Sequence, residues 1–167
     1  PATSVRMTLF DFIATYLNII DDIGSGSSLF KSEVLRAHNL LLKIEKLKQE
    51  GKKSITFFDE IFSGTTPIEG EATAFSVAKL LSQYTNSICC LATHFELLTS
   101  LEDTKLFTNY HVSVNKPVNG KISYTYKIEP GISHQHVAID ILQEEGFASQ
   151  VIFDAQEQVA RLAFQRA

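Results

Sequence analysis

Two short runs, "SITFF" from Ser54 and "SICCLA" from Ser87, constrain the fold of this chain more than any other feature. Both are apolar without alternation, which is how a strand covered on both faces reads, and Thr56 is the only polar residue inside the first. Between them Ala74, Val77, Ala78 and Leu81 recur at helical spacing. A strand, a helix and a second strand over this length make a parallel crossover unit, so the centre of the chain is predicted to be α/β. Upstream, Val5 to Ile20 is rich in Phe, Ile, Leu, Tyr and Thr, with alternation at Ile13, Thr15 and Leu17, and reads as one or two strands. The small-residue loop "DDIGSGSSLF", Asp21 to Phe30, leads into a helix marked by Val34, Ala37, Leu41 and Ile44 that runs up to Gly51. Downstream, "HVSV" and "KISYTYKI" flank the turn-rich "NKPVNG", which predicts antiparallel edge strands with Ile122, Tyr124, Tyr126 and Ile128 on one face. The tail from Ser133 carries two helical patterns separated by Gly146, the second with Val151, Ile152, Ala155, Val159 and Leu162. The expected fold is a central, largely parallel sheet flanked by helices, with an antiparallel edge hairpin and a C-terminal helical pair.

Composition limits what such a fold can do. With 44% hydrophobic residues in 167, one sizeable core is expected. A formal net charge of −4 gives no basic footprint of the kind that binding a phosphate backbone demands, so any contact with nucleic acid is expected mostly outside this chain. No run approaches the roughly 20 apolar residues that span a bilayer, and an intracellular protein without a membrane partner is expected. The two cysteines, Cys89 and Cys90, are adjacent on a predicted strand and so point to opposite faces, a usage that suits a reducing compartment. His134 and His136 have no third ligand at suitable spacing, and zinc is not expected. In "KIEKLKQEGKK" the lysines alternate with acids, as on a solvated helix face, and Tyr124 with Tyr126 reads as packing rather than as a base-stacking platform. Pro1 opens the chain without a methionine and an amphipathic pattern is still running at Ala167, so a piece of a longer protein is expected.

The first apolar run stops at two adjacent acids, Asp59 and Glu60. In an α/β sheet ligands bind at the carboxyl edge of the strands, where loops and helix N-termini converge. Neighbouring carboxylates repel unless a divalent metal or a division of roles separates them. In phosphoryl-transfer sites the first acid holds Mg²⁺ and the second orients or deprotonates the attacking water. The same spacing also suits an acidic pair that opens a solvated loop or caps the helix that follows.

The surroundings of the pair carry a resemblance. "FFDEIFSGTTPIEG" is similar to the Walker B segment of the ATPase domain in the MutS family of DNA mismatch-repair proteins: an apolar strand, DE, then a G-T-rich loop ending in an acid and Gly. "LATHFELL" supplies the family's Thr-His, aromatic, Glu and Leu as Thr93, His94, Phe95, Glu96 and Leu97. Upstream, "DDIGSGSSLFKSEV" resembles the family's D-D and S-G-x-S-T-F-x-x-E loop through Asp21, Asp22, Ser25, Gly26, Ser28, Phe30 and Glu33. The layout of "GISHQHVAIDILQEEGFASQVIFDAQ" is similar to the family's tail, so the resemblance covers nearly the whole chain.

That resemblance implies ATP and Mg²⁺ as cofactors, with Asp59 holding the metal, Glu60 positioning or activating the hydrolytic water and His94 sensing or polarising the γ-phosphate. It implies that Ser25, Gly26 and Ser28 form a signature reaching the nucleotide of a partner subunit, and that Gly64, Thr65 and Thr66 relay nucleotide state between two sites. Residues 1–132 would be a partial ABC-type ATPase domain and residues 133–167 a helical pair for dimerisation. The implied partners are a second MutS-like subunit, in a homodimer or heterodimer, and DNA bound through domains outside this chain. The chain differs from the family's pattern at Leu29, at Phe62 and Ser63, at Pro67 and Glu69, and at His136, Val137 and Ala138. No G-x-x-x-x-G-K-[ST] phosphate loop occurs in it. A related motor of DNA recombination and a non-hydrolysing dimerisation module are the alternatives, whereas a transporter's L-S-G-G-Q is absent.

Overall fold

The computed structural model describes residues 3–17, 29–115, 121–133 and 137–166. They fall into two compact units, Pro1–Phe107 and Thr108–Ala167. The first unit is built on a three-stranded parallel sheet in the order β1 (Phe12–Tyr16), β2 (Ser54–Asp59), β3 (Ser87–Ala92). Helix α1 (Leu29–Gln49) connects β1 to β2, and α2 (Pro67–Leu81) connects β2 to β3. The mixed α/β architecture and the parallel crossover read from the two apolar runs are therefore present.

Both helices lie on one face of the sheet. Ala37, Leu40 and Ile44 of α1 and Ala74, Ala78 and Leu81 of α2 share a buried core with Tyr16 and Phe58, against which Phe12, Ala14, Cys89 and Leu91 also pack. The other face differs from expectation. Ile13, Phe57 and Ile88 are 63%, 39% and 50% exposed, and Cys90 is exposed beside Phe57 in the register. β2 thus alternates buried and exposed, where its continuous apolar sequence predicts cover on both sides. The reason is geometric: α1 and α2 both return across the same face.

Helix α1 is rotated by about one position from the face predicted for it. Its buried stripe is Glu33, Ala37, Leu40, Ile44 and Leu47, while Val34 is 39% exposed. A carboxylate in phase with the core displaces the expected stripe, and its partners belong to the site described below. A 3-10 helix at Glu96–Thr104 follows β3 and buries Leu98 and Leu101.

The second unit contains β4 (Tyr110–Asn115) and β5 (Ser123–Pro130), paired antiparallel in a two-stranded sheet. Between the Val112–Ile128 and Val114–Tyr124 pairs, β5 has two residues more than β4, and Tyr126 takes φ 54° there. This bulge breaks the simple alternation expected of Ile122, Tyr124, Tyr126 and Ile128. The rings of Tyr124 and Tyr126 lie 6.4 Å apart, but the residues are 48% and 78% exposed, so they are not core packing. Helices α3 (Ala138–Glu144) and α4 (Ser149–Arg166) form the C-terminal helical pair on either side of Gly146, as the pattern predicts. No helix among the described residues is long and apolar enough to cross a membrane.

Candidate functional site

At the carboxyl edge of the parallel sheet, β2 ends on Asp59, which is exposed and paired in register with Ala92 at the end of β3. Glu60 continues the ladder by one bond, its N–H donating to the Ala92 carbonyl at 3.0 Å. Its backbone then turns into the left-handed region, φ 51°, and Phe62 does the same at φ 61°. Such a conformation costs a residue with a Cβ about 1–2 kcal/mol and persists only where its surroundings enforce it. The turn aims the Glu60 carboxylate at the chain leaving β3, where its Oε1 lies 3.5 Å from Nε2 of His94. The His94 side chain is 94% exposed and that of Glu60 40%, so the pair faces solvent and contributes little to stability.

The loop bearing His94 is pinned on both sides. The Phe95 N–H donates to the Thr93 hydroxyl at 3.1 Å, and the Leu97 N–H donates to Oε1 of Glu71, on α2, at 2.8 Å. Phe95 packs over Gly70, where an added Cβ would come within 2.6 Å of the Phe62 carbonyl oxygen and 3.0 Å of the Phe95 ring. Gly70 therefore lets α2, the acid-bearing loop and the histidine loop meet.

Gly64, Thr65 and Thr66 occupy the turn between the acids and α2. Thr66 is the N-cap of α2 with Pro67 behind it, and Glu69 in the first helical turn accepts from both threonine hydroxyls, at 2.9 Å from Thr66 and 3.3 Å from Thr65. Glu69, a departure from the resembling pattern, thus holds both loop threonines. The other end of the loop is held by α1. Glu33 is 2% exposed, and its carboxylate accepts the Gly64 N–H at 3.0 Å, the Ser63 N–H at 3.2 Å and the Ser63 hydroxyl at 3.3 Å. Phe30 meets Phe62 edge-on at 6.1 Å between ring centres. Tyr16, wholly buried at the end of β1, points its hydroxyl into this region without a regular hydrogen bond. Burial above all, and then the Glu33 carboxylate, hold its phenol well above the usual range, against weaker opposing effects of the Phe62 backbone and Arg36.

The structure thus brings together Glu60 and His94, with Asp59 beside them and Gly64, Thr65 and Thr66 in the adjoining turn. Ser25, Gly26 and Ser28, with Asp21, Asp22, His134 and His136, lie outside the described residues. Sequence reading did not single out Tyr16, Glu71 or the bonding role of Glu33. For Glu33 a signal existed, since a carboxylate four residues before Ala37 falls on the same helical stripe.

The acids, the histidine and the helix-anchored loops thus gather at the carboxyl edge of a parallel α/β sheet, the edge at which open α/β sheets generally bind ligands. The family model for MutS domain V matches residues 1–163. The DNA mismatch repair protein MutS of Lactobacillus johnsonii is 34% identical over 168 residues, covering 100% of this chain and 19% of that protein. Those of Lactobacillus delbrueckii subsp. bulgaricus and Streptococcus sanguinis are 33% and 30% identical over 97% and 99% of this chain. The chain belongs to the MutS family, and it spans about a fifth of the length of these curated relatives.

Proposed function

We propose that the chain is the C-terminal part of a MutS-like ATPase domain, in a subunit whose ATP hydrolysis is coupled to binding of mismatched DNA and to mismatch repair. Membership of the family supports this reading, and the observation that carries it is the Glu60 carboxylate facing His94 across the carboxyl edge of the sheet. Mg²⁺ commonly takes one or two carboxylates, its remaining positions going to water and nucleotide phosphates. The single exposed Asp59 suits that donor set; among the described residues no group of three or more His, Cys, Asp or Glu forms an all-protein cage. When bound, the ion would neutralise charge on the β- and γ-phosphates.

The remaining roles belong to side chains. Glu60 orients the attacking water and accepts its proton, for which a partly exposed carboxylate on a fixed backbone is suited. His94 donates toward the γ-phosphate from a loop tied to α2. Gly64, Thr65 and Thr66, held at one end by Glu33 and at the other by Glu69, relay the state of one site to the other. Ser25, Gly26 and Ser28 reach the nucleotide of the partner subunit in a homodimer or heterodimer, and DNA contacts lie outside this chain.

In the longer protein, Glu60→Gln is expected to leave Mg-ATP affinity near wild type, because the amide keeps the shape of the carboxylate. Asp59→Asn should weaken that affinity about tenfold or more. Equal calorimetric affinities for Asp59→Asn and wild type would remove Asp59 from the metal site.

A further inference from the structure

Within the first unit the least ordinary group is Glu33, a carboxylate 2% exposed in the apolar stripe of a helix. A carboxylate so placed is tolerated only when hydrogen bonds satisfy it. Glu33 has no Lys or Arg ion pair among the described residues; its acceptors are filled by Ser63 N–H, Ser63 Oγ–H and Gly64 N–H. The approach is close. A Cβ on Gly64 would stand 2.9 Å from Glu33 Oε2, 2.9 Å from Leu29 Cγ and 3.0 Å from the Phe30 backbone nitrogen. Glu33 therefore clamps the loop against the first turns of α1, and the clamped residues begin three positions after Glu60.

We propose that Glu33 is a positioning residue: its buried carboxylate fastens Ser63 and Gly64 to α1, and so enforces the left-handed turn that aims Glu60 at His94. The coupling between Glu33 and Glu60 is through the backbone. Left-handed conformations at Glu60 and Phe62 relax unless both ends of the turn are fixed. One end is the Glu60 N–H bond to Ala92; the other is the pair of amides on Glu33. A change at α1 would in this way reach the catalytic carboxylate without touching it. The catalytic part of this inference rests on the proposed ATPase function; the clamp itself does not.

The test uses Glu33→Gln, which keeps size and shape but must turn an NH₂ toward one of the two amides. In this chain, amide hydrogen exchange at Ser63 and Gly64 should accelerate at least about tenfold, with the amides of β2 unchanged. In the longer protein kcat should fall by about tenfold to a hundredfold, with the KM for Mg-ATP within about threefold of wild type. Gly64→Ala, which leaves Glu33 intact but forces the loop away from it, should reproduce both effects. Unchanged exchange at Ser63 and Gly64 in Glu33→Gln would overturn the clamp. Accelerated exchange with an unchanged kcat, where Glu60→Gln is inactive, would overturn the positioning role. Failure of the functional reading shows separately, as full turnover by Glu60→Gln, and the clamp then stands or falls on exchange alone.

Discussion

Replacing Glu60 by glycine and by alanine separates the backbone strain at this position from the chemistry of its side chain. Both variants lose the carboxylate and its contact with His94, and both keep the N–H bond to Ala92, so these contributions cancel in the comparison. What remains is the backbone at φ 51°. Alanine retains the Cβ that makes this region cost about 1–2 kcal/mol. Glycine escapes that cost but gives up about 0.5–1 kcal/mol through the greater freedom of its unfolded chain. The difference leaves Glu60→Gly more stable than Glu60→Ala by up to about 1.5 kcal/mol, with about 0.7 kcal/mol as the central value. At exposed Lys79 inside α2 the same exchange should run the other way, with glycine worse than alanine by about 1 kcal/mol. The assay is urea unfolding followed by far-ultraviolet circular dichroism, with equal slopes and shifted midpoints. If Glu60→Gly proved less stable than Glu60→Ala by the margin seen at Lys79, the strained turn would be refuted, and with it the account of how Glu60 is aimed.

Three further outcomes follow from the same geometry. Burial above all pushes the Cys89 thiol up to about 12, so at pH 8 only about one molecule in ten thousand carries its thiolate; iodoacetamide should label exposed Cys90 first and reach Cys89 only on unfolding, which peptide mass spectrometry reads directly. If the apolar face of Ile13, Phe57 and Ile88 is covered in the longer protein, as parallel sheets require, Cys90 labelling there should slow at least about tenfold relative to this chain, and equal rates would show the face to be bare. Ser28→Ala in the longer protein should lower the ATPase rate at least about a hundredfold under the shared-signature reading; a fully active Ser28→Ala variant would remove that signature.

The elements legible in the sequence were those whose burial follows apolar spacing. The apolar runs from Ser54 and Ser87 place β2 and β3, Ala74, Val77, Ala78 and Leu81 place α2, and the pattern on either side of Gly146 places the helical pair. Periodicity puts the face of α1 one position off because it counts only apolar residues, whereas the position in phase with Ala37 and Leu40 is a carboxylate whose oxygens accept backbone N–H groups from another loop. Nothing in the identity of Glu60, Phe62 or Tyr126 announces a left-handed backbone, since the surroundings impose it. The acid pair and histidine were legible as types at a strand edge. Their mutual aim was not, because it depends on Glu33, Gly70 and Glu71, which lie elsewhere in the chain. The second apolar face of the sheet is a case where the sequence says more than the described residues do: Ile13, Phe57 and Ile88 are composed for burial and are exposed.

The proposed function stands or falls on whether Glu60 activates the water that attacks ATP. Its most direct measurement is a single-turnover experiment in the longer protein, with ATP already bound and Mg²⁺ added to start the reaction, comparing wild type with Glu60→Gln. The variant is expected to bind ATP normally and to hydrolyse it at least about a hundredfold more slowly. A single-turnover rate for Glu60→Gln equal to that of wild type would contradict it.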